Sequence, residues 1–294
     1  MSKKKICLSL WSIEDLTFRQ GKSLFELLEI AASLGVDGVD IGEDYHRWPP
    51  FDTVHGLNLI RKKVHSLGMQ VLSSWMYTDM VAGVATSSIA VVHHQLSDML
   101  AKCSILECPF VALPPGDAWP GVDYEEGHKV FVELFSKVID VAKEYGVRMA
   151  LEVGRPAGVF QRPEYALRLV KEISSPYLTI APDFEAWRFS TPDLPLIHVE
   201  APDDVTPEPT SLDVFRECLP YSPLIHAKFL GFDEGGNEPH MPAEQLLKMI
   251  DKSNIPEVVD IEYEGWIPDV RPDLDSVEAS RKSIALLKKH IHFG

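Results

Sequence analysis

The chain is poor in positive charge, poor in cysteine and free of long apolar runs, and each shortage closes off a class of function. Lys and Arg total 28 against 44 Asp and Glu, a formal net charge of −16. Nucleic acid and anionic membranes are bound through basic patches, so neither is expected as a partner. A small anionic substrate in a locally positive pocket stays compatible with that balance. The four cysteines, Cys7, Cys103, Cys108 and Cys218, form no C-x-x-C pair. They read as reduced, buried thiols of a cytoplasmic protein, and a zinc site built from them is not expected. The basic start Lys3-Lys4-Lys5 precedes an apolar run, Ile6–Leu10, too short for a secretory signal, and no stretch reads as membrane-spanning. Glycine-rich phosphate loops are also missing. No G-x-G-x-x-G or Walker-type loop follows an apolar run, so no nucleotide cofactor is expected.

What is present is ordinary globular composition, 45% apolar and 24% charged over 294 residues, enough to bury a large core. Short apolar runs alternate with longer amphipathic stretches. Eight runs read as buried parallel strands, near 5–10, 38–42, 69–75, 109–113, 147–152, 177–182, 223–229 and 258–262. Helical patterns occupy 22–34, 53–66, 87–106, 125–145, 163–174, 209–218, 242–252 and 274–290. The fourth of these places Val130, Phe131, Leu134, Val138 and Val141 on one face and stops at Gly146. Eight strand–helix units in a chain near the length of about 250 residues typical of such folds predict one α/β domain over 1–294, a single (β/α)8 TIM barrel. An open doubly wound sheet would carry a glycine-rich first turn, and here that turn is Trp11-Ser12-Ile13-Glu14. A Pro- and Asp-rich loop excursion near 191–210 breaks the rhythm and reads as a lid, a contact surface or a plain surface loop.

Barrel chemistry sits where strands end. The fifth run ends in Leu151-Glu152, the sixth in Pro182-Asp183, the seventh holds His226, and the eighth ends in Ile261-Glu262. Four consecutive strands thus bring Glu, Asp, His and Glu to one rim. Three converging carboxylates repel one another, and a divalent cation resolves the repulsion. Three carboxylates and one imidazole form a hard, mainly oxygen site. It suits Mn²⁺ first, with Mg²⁺, Co²⁺ or Zn²⁺ as alternatives. A glutamate alone at a strand end is more often a salt-bridged rim residue, and a lone histidine more often a satisfied core residue; the ordered set of four is the signal.

The pieces Leu151-Glu152, Pro182-Asp183-Phe184, His226-Ala227-Lys228 and Ile261-Glu262-Tyr263-Glu264-Gly265 resemble the xylose-isomerase-like family of sugar phosphate isomerase/epimerase barrels, over nearly the whole chain. That resemblance implies metal ligands Glu152, Asp183, His226 and Glu262, with Glu152 and Glu262 also exchanging protons. A metal-held ketone acidifies the neighbouring C–H and stabilises an enediolate. Return of the proton on the opposite face epimerises; return to the adjacent carbon isomerises. The sequence departs from the ketose 3-epimerase pattern at Gly158, Ala186 and Phe232, where that pattern has Glu, His and Arg, which makes free ketohexoses doubtful substrates. The segment Ile225–Gly265 also resembles a bacterial branch that includes the catalytic subunits of C-glycoside deglycosidases. That branch implies lyase action on a 3-oxo sugar, alongside a small β-sandwich partner, as the alternative to isomerisation; an inosose dehydratase is a related option. Members of the superfamily are often oligomers, so a homo-oligomer or an accessory-subunit complex is compatible.

Further residues follow strands and are candidates for substrate binding: Lys228, Arg155, His46, and the indoles of Trp11, Trp75 and Trp187. Lys228 lies two residues after His226 and so points the same way. It could hold a substrate oxygen or pair with a neighbouring carboxylate. Arg155 could clamp an anion or lie in a surface ion pair. His46 could transfer protons or be a plain loop residue. Tryptophans at a barrel mouth stack on sugar C–H faces or pack the rim.

Overall fold

Side-chain alternation along each strand sorts this chain into an inner and an outer layer. The computed structural model describes residues 3–42, 53–76, 88–115, 123–154, 159–189, 210–265 and 275–293. The strands are β1 (Lys5–Ser9), β2 (Gly38–Asp40), β3 (Gln70–Trp75), β4 (Phe110–Leu113), β5 (Arg148–Val153), β6 (Leu178–Pro182), β7 (Leu224–Phe229) and β8 (Val258–Tyr263). In β7, Ile225, Ala227 and Phe229 join the outer core, whereas Leu224 joins an inner cluster with Cys7, Leu72, Phe110, Ala112, Ala150, Ala181 and Val258. The period of two leaves His226 and Lys228 on the same inward side as Leu224.

The strands fall on the eight expected runs and pair in parallel, in the order β6-β5-β4-β3-β2-β1-β8-β7. Closure between β6 and β7 comes from one isolated parallel bridge, Asp183 to His226. The barrel therefore closes on two of the residues expected to bind metal. The order also excludes the open sheet, because β1 lies between β2 and β8 and the two ends of the strand order meet.

The covering helices are α2 (Leu24–Ser33), α3 (Val54–Ser66), α4 (Ile89–Leu106), α5 (Tyr124–Tyr145), α6 (Pro163–Ile173), α7 (Leu212–Cys218), α8 (Ala243–Lys252) and α9 (Ser276–His290). Each begins within three residues of its expected start. Short α1 (Asp15–Gln20) was not expected. Its Asp-Leu-Thr-Phe-Arg-Gln stretch buries only Asp15 and Leu16, too few positions to show a 3.6 period. Local chemistry sets several boundaries. Ser23 and Glu26 form a reciprocal capping box on α2, and Asp123 accepts from the N–H groups of Glu125 and Glu126 at the start of α5. Gly146, at φ 68°, ends α5 in the left-handed region that glycine favours. Outer-layer side chains such as Leu134, Phe135 and Val138 are fully buried, each stabilising the fold by roughly 1.5–3 kcal/mol.

All four cysteines are free and buried, as composition implied. No described helix is long and apolar enough to cross a membrane. The excursion near 191–210, with His46 and Arg155, lies outside the described residues.

Candidate functional site

The register of β7 against β8 builds the site. His226 pairs with Asp260 and Lys228 with Glu262, so two cationic or imidazole groups stand beside two carboxylates on the inward side. Glu152 comes from β5, and Asp183 is the first residue past β6. Ser12, in the turn after β1, clamps Glu262 from both flanks. Its hydroxyl donates to the Ile261 carbonyl at 3.1 Å and accepts from the Tyr263 N–H at 2.8 Å.

Three of the four expected ligands converge. Glu152, His226 and Glu262 each offer a ligand atom, and these atoms lie within 4.8 Å of one another. His226 Nδ1 is 3.2 Å from Glu152 Oε1 and 3.9 Å from Glu262 Oε2. Glu262 Oε2 is buried and makes no hydrogen bond among the described residues. Asp183 adjoins the three without joining their cluster. Its Oδ1 accepts from the Glu185 N–H at 2.8 Å, and its Oδ2 lies 2.9 Å from Lys228 Nζ. Gly154 makes room for it, since a Cβ there would fall 2.7 Å from Asp183 Cβ.

Lys228 has more anionic neighbours than donors. Its Nζ lies within 2.9 Å of Asp183, 3.2 Å of Glu185, 3.5 Å of Glu262 and 3.2 Å of Glu264. In this arrangement the ammonium is taken up by carboxylates, as in the ion-pair alternative. Burial opposes its charge, but Asp183, Glu262, Glu264 and Glu185 outweigh burial and hold its pKa well above the usual lysine value. Burial pushes Glu185 up to about 7 and Glu262 well above the carboxylate range, and raises Asp183, with Lys228 opposing all three. Burial likewise disfavours the His226 imidazolium, yet Glu152, Asp260 and Glu262 raise its pKa overall. Negative charge thus exceeds positive charge inside the mouth, which is the condition a divalent cation relieves.

A second polar layer lies deeper. Asp40 on β2 and Asp260 on β8 are each about 1% exposed. Beyond the contacts of the two acids with each other and with Cys7, no carboxyl oxygen of either, nor His226 Nε2, has a hydrogen-bond partner among the described residues. Nε2 faces Asp260 Oδ2 at 4.0 Å. Burial raises the pKa of both carboxyls, and each acts on the other; burial and the same two acids raise the Cys7 thiol. With His226 these two acids form a second candidate cluster. The donor set of the upper cluster suits a metal better. It is the one at the strand ends, and Glu152 and Glu262 are partly exposed, whereas the lower one is wholly buried.

Sequence reasoning missed Asp40, Asp260, Glu185 and Glu264. The signal for two of them was available: Asp260 and Glu264 stand two residues either side of Glu262 and share its side of β8. Glu185 follows β6 in a 3-10 turn, where that rule does not apply.

The tryptophans divide. Trp11 and Trp75 are partly exposed and meet edge to face at 6.2 Å. Trp75 lies so close over Gly42 that a Cβ there would meet the indole ring. Trp187, expected among the substrate-binding indoles, is instead 1% exposed. It packs edge to face on Phe215 at 4.9 Å and donates to the Ser211 carbonyl. The helical turn after Asp183 rotates it outward into the helix–strand core, so it cannot stack on a sugar. Ala186 is buried, and Phe232 packs on Phe229 and Tyr263, so neither supplies a polar group.

Eight parallel strands thus close into a barrel around a carboxylate–imidazole cluster. The chain belongs to the xylose isomerase-like TIM barrel family, whose pattern it matches over residues 28–290. It is similar in fold to the D-psicose 3-epimerase of Clostridium cellulolyticum H10, with TM-score 0.73 and 14% identity over 98% of this chain and 99% of that one. It also resembles the IOLI protein crystallised with a bound zinc atom, with TM-score 0.69 and 17% identity over 98% and 99%. The C-glycoside deglycosidase alpha subunit of Arthrobacter globiformis is 36% identical over 58 residues, 20% of this chain and 16% of that protein.

Proposed function

We propose that this protein is a divalent-metal-dependent isomerase or epimerase of a keto sugar. One observation carries the reading: Glu152, His226 and Glu262 converge within 4.8 Å at the strand ends, with Asp183 beside them and a buried Glu262 oxygen lacking a hydrogen bond. Glu152, Asp183, His226 and Glu262 would hold the ion, Mn²⁺ first among the candidates and zinc supported by the IOLI likeness. When bound, it would supply Lewis acidity that polarises a carbonyl and acidifies the C–H beside it.

The chain's own residues supply the proton transfers. Glu152 on β5 and Glu262 on β8 approach from separated strands, so one glutamate removes the proton and the other returns it. Trp11 and Trp75 offer an apolar wall for a sugar face and exclude water. Arg155 and His46 are proposed to contact polar groups of the substrate. Ala186 and Phe232 supply no polar contact, which favours a substrate other than a free ketohexose.

The match to a C-glycoside deglycosidase alpha subunit favours a second reading. The same proton abstraction on a 3-oxo glycoside, followed by loss of the leaving group, would make the protein a lyase, and a small accessory subunit would then be its partner. A cytoplasmic enzyme of carbohydrate metabolism fits both readings.

The test has two stages. Metal analysis of the purified protein should find near one ion per chain, absent in Asp183→Ala. Keto sugars and 3-oxo glycosides should then be screened in D₂O. Deuterium entering recovered sugar supports the isomerase, and cleavage supports the lyase. A protein that takes up no divalent ion on titration overturns both.

A further inference from the structure

A protein cation stands among the carboxylates at the mouth. Four carboxyl groups, Asp183 and Glu185 from the end of β6 and Glu262 and Glu264 from the end of β8, place oxygens 2.9–3.5 Å from Lys228 Nζ. A structural ion pair has a different composition. Arg148 meets Glu257 alone, through two parallel hydrogen bonds at 2.7 and 2.8 Å. Lys228 is one ammonium inside a cage of four carboxyl groups, with its side chain 7% exposed. Glu185 Oε1, also buried in this group, makes no hydrogen bond among the described residues and faces the buried Arg188 Nη1 at 4.0 Å. An oxygen cage of this kind is what a hard divalent cation selects, and an ammonium can fill the same place.

We propose that Lys228 occupies a second cation position of this site, so that the chain holds one divalent ion where its carboxylates would otherwise hold two. Asp183 and Glu262 belong to both sets and join the two positions, as shared carboxylates do in two-metal centres. Lys228 thereby sets the metal count. It also keeps Asp183 turned toward the mouth through the 2.9 Å contact. The inference rests on the metal reading for the first ion only.

The test is equilibrium titration of the metal-stripped protein with Mn²⁺ alone, counting ions per chain. Wild type should bind one. Lys228→Ala, which empties the cage, should bind two, and its manganese spectrum should show magnetic coupling between neighbouring ions. Lys228→Gln is the second neutral variant should the alanine protein not fold, with the same count expected. Lys228→Arg retains the charge and should stay at one. Where wild type binds one, a count of one or none in a folded neutral variant overturns the proposal. Wild type binding none, while Lys228→Ala binds one, would overturn the metal reading and leave the cage as a cation site.

Discussion

The two sides of the barrel interior obey different rules. On β4, β5 and β6 the inward middle positions are Ala112, Ala150 and Ala181, small, apolar and buried. On the remaining strands, β7, β8 and β2 carry His226, Asp260 and Asp40, equally buried, with no hydrogen-bond partner for the Nε2 or the four carboxyl oxygens among the described residues beyond the contacts of the two acids with each other and with Cys7. The alanines leave the space that the longer side chains fill. Buried polar atoms are almost always satisfied, so this side is held against its own cost, as expected where a binding site is built into a stable scaffold. At this depth the alanine side packs and the polar side carries buried charge; nearer the mouth β5 and the end of β6 contribute Glu152 and Asp183 as well.

The strongest way to break the contrast is to charge the quiet side. Ala150→Asp places an unpaired carboxylate in the apolar cluster and should cost at least about 3 kcal/mol in urea unfolding. A smaller change should disturb the junction. Gly154→Ala puts a methyl group against Asp183, so it should cost about 1–3 kcal/mol from overpacking. Its metal affinity, read by titration, should fall by about tenfold or more. Softening the charged side should separate stability from binding. Asp260→Asn removes a buried charge, so the metal-free protein should melt at a higher temperature at pH 8. It also replaces the carboxylate facing His226 Nε2 at 4.0 Å by a neutral amide, and metal affinity should fall about 10- to 100-fold.

Acidity sharpens the same contrast. Glu185 is raised from 4.5 to about 7 by burial. A group raised in the folded state contributes stability that is complete below its unfolded value and lost as pH rises through the folded value. Asp183, Glu262, Asp40, Asp260, His226 and Lys228 are raised too. The metal-free protein should therefore lose melting temperature from about pH 4.5 through about 7, and added Mn²⁺ should oppose the loss. Exposed Glu26 has the opposite sign. Its pKa is lowered to about 2 by the Ser23 N–H and hydroxyl, so its contribution is present above 4.5 and lost as pH falls through about 2. The smallest effect is expected outside the barrel: Ser23→Ala breaks the α2 cap, costs about 1 kcal/mol and leaves metal affinity unchanged.

Most of the architecture was legible in the order of residues. Buried parallel strands are continuous apolar runs, and amphipathic helices repeat near 3.6, so β1–β8 and the eight longer helices stand where those periods place them. α1 escaped because two buried residues make no period. The ordered set Glu152, Asp183, His226 and Glu262 was legible because strand ends face one rim whatever the register.

What stayed hidden depends on which strands meet and how they shift. That Lys228 faces Glu262 and His226 faces Asp260 is a fact of the β7–β8 register. That Asp40 reaches the same interior depends on β1 separating β2 from β8. Whether Trp187 lines the mouth or packs on Phe215 was settled by the turn after Asp183. The sequence alone determined the elements and the chemical types at their ends, because these follow from local period and composition. Tertiary structure alone decided which charges share a cavity, because burial and distance arise only when distant strands close into a barrel.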